Sequence, residues 1–202
     1  ETSDSPYRFA RFQELLKENA QIDAPKAASI LRNRKGVGEA ELGLANEMAI
    51  NQFIAHHSVI FQPEKKRMWV STAPWQCGKY VAYDLNRIFS DSIDFNHEIY
   101  TENLTVPADS FLQQQEYQQL MTYKRLAPVL RKQIKKKERL DEQTLHAFQH
   151  ANPHFFYVYE LLGDYYHDTG QQDKALRNWK KALLLPIPKR SESERIEHKI
   201  NN

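Results

Sequence analysis

The chain has 202 residues, 27% of them charged, and its 28 Lys and Arg against 26 Asp and Glu leave a net charge of +2, too balanced for a polyelectrolyte grip on nucleic acid. Ten Phe, ten Tyr and three Trp supply core anchors despite a mean hydropathy of −0.73, which excludes disorder throughout. No apolar run approaches the roughly 20 residues of a membrane span, the single cysteine excludes an internal disulfide and a cysteine-based zinc site, and none of the six glycines falls in a phosphate-loop pattern.

The chain opens on polar ETSDSP at Glu1 with no initiating Met, which predicts a processed or trimmed product; a removed signal and a removed domain fit equally. Phe9, Phe12, Leu15 and Leu16 recur at helical spacing, so Pro6 to Glu18 reads as a helix. Asp23 caps a second, with Pro25 in its first turn and Ala27, Ala28, Ile30 and Leu31 as its apolar stripe, before RNRKGVG ends it at Gly36. From Asn51 the period changes. FIAHHSVIF and RMWVST, split by QPEKK, form a β-hairpin, PWQCG breaks the chain, and KYVAYDL is a third short strand. Three such strands need a partner layer, supplied in part by the two upstream helices and in part by strands from elsewhere.

Beyond Thr101 the pattern is helical. A long helix starts at Asp109 or Ser110 and is kinked or restarted at Pro128, Asp141 caps another through Asn152, and two amphipathic segments from Phe155 to Leu184 are divided at Gly170. Within that hairpin Tyr159, Leu162, Gly163, Tyr166, Gly170, Ala175, Trp179 and Ala182 stand at the offsets of one 34-residue unit, and the segment resembles a tetratricopeptide repeat. Small residues at Gly163, Ala175 and Ala182 imply close helix approach. One unit is too few for a peptide-binding solenoid, with 142–152 and 191–200 as its flanking helices, so this half is either a structural appendage or a docking site for a protein partner.

Three stretches of the first half, SPYRFARFQELL, AASILRNRKG and AHHSVIFQPEKKRMWVSTAPWQCGKYVAYDL, resemble the distal part of the cysteine N-terminal-nucleophile hydrolases, the group of penicillin acyltransferase, choloylglycine hydrolase and acid ceramidase. The likeness covers residues 5–89. It implies partial αββα layers over residues 1–100; with the helical extension over 101–202 and its tetratricopeptide-like hairpin at 155–185, the expected fold class is α+β. It also implies acyl transfer from an N-acyl amide or acyl thioester to water or an amine through an acyl-cysteine, without a cofactor or metal. In that family the nucleophile is an N-terminal Cys using its own α-amino group as base. Glu1 cannot replace it, and Cys77 sits in a turn with its nitrogen in a peptide bond, so the nucleophile belongs to a partner portion of the same enzyme and this chain alone is inactive.

Only Arg8 carries over to the site. It matches the family's arginine against the nucleophile, where a fixed positive charge favours the thiolate and orients the acyl carbonyl. Arg11 is the neighbouring candidate if the match slips by a turn. His56 and His57, adjacent in the first strand, point to opposite faces and cannot clamp one metal. The stretch Lys124 to Leu140 holds eight basic residues and one acid, a solvated face or a surface for an acidic partner. A non-enzymatic interaction module is the competing reading of the whole chain.

Overall fold

The computed structural model describes residues 5–18, 21–90, 96 and 98–201. Its mixed α/β architecture comprises, among these residues, eight α-helices and one three-stranded antiparallel sheet. Helix α1 (Ser5–Lys17) buries Arg11 and Leu15. Helix α2 (Ala24–Leu31) begins at Asp23, whose carboxylate accepts the Lys26 N–H at 2.8 Å. It ends at Leu31, five residues before Gly36, where the Arg32 N–H closes the last turn on the Ala28 carbonyl and the Asn33 N–H bonds the Ile30 carbonyl.

Strands β1 (Val59–Gln62), β2 (Arg67–Ser71) and β3 (Tyr80–Asp84) pair in the order β1-β2-β3, and a Pro63–Lys65 turn with Lys66 at φ 49° closes the first hairpin. The pairing starts later than the strand composition predicts. Ser71 donates its N–H to the Ser58 carbonyl while its hydroxyl takes the Ser58 N–H, and beyond it Thr72 turns to bond Lys79 instead. With no strand opposite them, His56 and His57 lie in an exposed loop ahead of β1, which corrects their placement in the strand.

The sheet has two different faces. On one, Trp69, Tyr80 and Ala82 pack beneath Ala28 of α2 and beside Val106, forming a buried core. On the other, the register places Val59, Val70 and Val81 in one row and Phe61, Met68 and Tyr83 in the next. None of these six joins a buried hydrophobic core, and Phe61 is 66% exposed. The other five are half-buried, so the sheet is apolar on both faces and packs a buried core on only one.

After β3, Asp84 accepts the Asn86 N–H at 3.1 Å and caps the one-turn helix α3 (Leu85–Ile88); Asp109 caps a short 3-10 turn, and α4 (Gln115–Lys136) then runs unbroken through Pro128, which corrects the expected kink or restart there. Asp141 caps α5 (Glu142–Ala151) by accepting the N–H of Thr144 at 2.7 Å. Helices α6 (Phe156–Asp168) and α7 (Gln172–Leu183) form the expected hairpin, turning at Gly170 with φ 78°, and α8 (Arg190–Asn201) packs on α7. Ala175 and Ala182 are fully buried, as close helix approach requires.

Packing crosses residue 100 in several places. Tyr80 pairs with Val106 through two backbone hydrogen bonds, Arg32 donates to the Pro107 carbonyl at 3.0 Å, and Arg34 meets Asp109 at 2.7 Å. Phe53 and Cys77 belong to the same core as the helices. Asn152 exchanges two hydrogen bonds with the backbone of Leu44, at 2.9 and 2.7 Å. Residues 1–89 expressed alone therefore lose the strand neighbour of β3 and the cover of Cys77; they should aggregate through open edges instead of showing a cooperative melt, as light scattering with calorimetry can establish.

Candidate functional site

Arg8 lies on the half-buried side of α1. Its guanidinium donates to the Glu47 carbonyl at 2.5 Å and to the Ser5 hydroxyl at 3.2 Å, which anchors it on the 42–49 loop. Phe9 beside it is 60% exposed, so the apolar surroundings expected for a catalytic arginine are not formed by Phe9. The group is a half-buried cation held in place by these two bonds.

Arg11 is different. It is buried, and it donates to Asn33 Oδ1 at 3.3 Å, to Glu14 at 3.1 Å and to Glu39. Glu14 in turn accepts the Gly38 N–H, and this bond with the Arg11 contact holds its carboxyl below the usual range. These contacts tie α1 to the 33–39 loop and leave Arg11 no role at a reacting carbonyl.

Cys77 is fully buried, with its sulfur 3.4 Å from Asn51 Nδ2. Burial pushes the thiol pKa up, more than the Asn51 hydrogen bond lowers it. A neutral, solvent-inaccessible thiol is no nucleophile. The turn that holds it has Trp75 and Gln76 at φ 42° and 60°. This uncommon backbone is held by Arg32, which donates to the carbonyls of Gln76 at 3.2 Å and Gly78 at 2.6 Å and lies 5.0 Å from the Tyr80 ring centroid. Lys124 of α4 adds a second clamp, its ammonium 4.3 Å from the Trp75 ring centroid and donating to the Phe53 carbonyl at 3.1 Å. Burial lowers its pKa. Sequence reading named neither clamp, since their partners lie 44 to 75 residues away.

A cleft of about 680 Å³ opens where the two halves meet, with Arg34, Lys35, Glu41, Glu116 and His154 on its walls. Arg34 is held there by Asp109 and by the Phe111 ring, 4.2 Å from its centroid. Among the described residues that line it there is no hydroxyl or thiol, and the polar groups it offers are cations, carboxylates, amides and the His154 imidazole.

The helical half carries an ionic cluster around the buried Glu160. Glu160 receives two hydrogen bonds of 2.8 Å from Arg195 and one of 2.7 Å from Lys199, while Lys199 also reaches Asp164 at 2.8 Å. Burial raises the Glu160 carboxyl, but the hydrogen bonds from Arg195 and Lys199 outweigh it and hold the pKa below the ordinary value. At Asp164 burial prevails over Lys199 and Trp179, and the pKa is raised. The cluster fastens α8 onto α6.

Comparison of the chain with protein-family models, with curated proteins and with solved structures finds no match.

Proposed function

We propose that the chain is the distal portion of a cysteine N-terminal-nucleophile amidohydrolase or acyltransferase, supplying a sheet, its outer helices and Arg8 to an αββα core. The open face of the sheet carries this reading. With α2 over one face, and Phe61 exposed and Val59, Met68, Val70, Val81 and Tyr83 only half-buried on the other, the chain is consistent with one helix-and-sheet half of such a sandwich; a second sheet would pack about 10 Å away. The motif resemblance of residues 5–89 supports the same reading.

In the reaction, the thiolate of an N-terminal Cys on the remaining portion adds to the carbonyl of an N-acyl amide or acyl thioester. The tetrahedral intermediate collapses with loss of the protonated amine or the thiol. Water or an acceptor amine then takes the acyl group from sulfur. Arg8, held by Glu47, presents positive charge that favours the thiolate.

Charging the open face tests this directly. Phe61→Lys with Val70→Lys should change the melting temperature of the isolated chain by no more than a few degrees, because Phe61 is largely exposed and Val70 is only half-buried there. In the enzyme assembled with its remaining portion, the same pair buries two ammonium groups and should abolish both assembly and turnover of an N-acyl p-nitroanilide. Normal assembly and activity of the doubly charged variant would remove the sandwich reading.

A further inference from the structure

Helix α4 presents Pro128, Arg131, Lys132 and Lys135 at positions i, i+3, i+4 and i+7, one face of the helix. That face forms a wall of a groove between α4, α6 and α8, made of two hollows of about 620 and 480 Å³ that meet at Ile134 and Asp164. The floor is apolar, with Leu161 in one hollow and Trp179 in the other. Across the groove, Lys199 is already engaged by Glu160 and Asp164. Arg131, Lys132 and Lys135 are exposed and form no ion pair with another described residue.

We infer that this groove docks an extended acidic segment of a partner protein, its carboxylates on Arg131, Lys132 and Lys135 and its apolar side chains on the floor. The inference is independent of the acyl-transfer reading. Arg131 and Lys135 are one helical turn apart, about 6 Å along the axis. Alternate side chains of an extended peptide are spaced about 6.6 to 6.8 Å, so carboxylates at every second position meet both cations. Charge complementarity thus fixes the sign of the partner, and the apolar floor calls for hydrophobic residues between its acids. Asp168, in the second hollow and away from the three cations, would repel a phosphate backbone that continued past them, whereas a short acidic segment ends before it, which favours a peptide over nucleic acid.

The test titrates the whole chain into a fluorescein-labelled peptide in which Glu alternates with Leu and Ala, read by anisotropy at low salt. Saturable binding is expected, weakened about tenfold by Arg131→Glu with Lys135→Glu and little changed by Arg177→Glu with Lys180→Glu, two exposed cations outside the groove. In the unmutated chain, bound peptide should protect Lys132 and Lys135 from acetylation, a readout by mass spectrometry that needs no variant. Absence of saturable binding up to about 1 mM chain, equal losses in the two double variants, or no protection of those lysines would overturn the proposal. So would tighter groove-dependent binding of a uridine oligonucleotide or of phosphatidylserine vesicles than of the peptide.

Discussion

Gly163→Val is expected to lower the melting temperature of the chain by about 8 to 16 °C, which corresponds to a loss of about 4 kcal/mol in a protein of this size. A Cβ at Gly163 would stand 2.2 Å from Cδ1 and 2.3 Å from Nε1 of Trp179. The indole is 5% exposed and donates to Asp164 at 2.9 Å, so it can yield only by opening the α6 and α7 contact and surrendering that hydrogen bond. Overpacking costs roughly 1 to 3 kcal/mol, and a hydrogen bond to a charged acceptor adds about 1.5 to 3 kcal/mol. Replacing Trp179 by Leu in the Gly163→Val background should recover part of the loss, which a double-mutant cycle measured by calorimetry would show. A melting temperature within about 2 °C of the parent would mean that the hairpin does not depend on this contact.

Arg8→Met, in the enzyme assembled with its remaining portion, should lower kcat/KM for an N-acyl substrate by about a hundredfold, equivalent to roughly 2.7 kcal/mol of transition-state stabilisation. Arg8→Lys keeps the charge without the planar fork, so it separates electrostatics from geometry. Arg11→Met is the contrasting case. Its guanidinium is spent on Asn33, Glu14 and Glu39, and losing those bonds should cost about 1 to 2 kcal/mol of stability while turnover changes little. Near-normal turnover of Arg8→Met in a folded enzyme would favour the interaction module over the enzyme.

The residues differ in how much of this they disclose locally. The α6 and α7 hairpin is legible because its small residues recur at fixed offsets and the structure places them where the helices touch. The third strand is legible from KYVAYDL, since alternation is a local property. The start of β1 is not, because Val59 pairs only as far as β2 extends, and the turn of β2 at Thr72 ends the ladder. Arg8 and Arg11 are three residues apart on one helix, and spacing alone cannot tell the loop-anchored cation from the buried tie. Locally Arg32 is only part of the segment that ends α2, yet it clamps a turn more than 40 residues later. The basic run of α4 was visible as composition; which of its cations share a groove depends on where α6 and α8 pack.

Locating the acyl group tests the central claim most directly. The assembled enzyme, stopped during turnover of an acyl thioester and digested for mass spectrometry, should carry the acyl mass on an N-terminal Cys outside these 202 residues, with Cys77→Ala leaving both adduct and rate unchanged. An adduct on Cys77, or no adduct and no turnover in the assembled protein, would contradict the account.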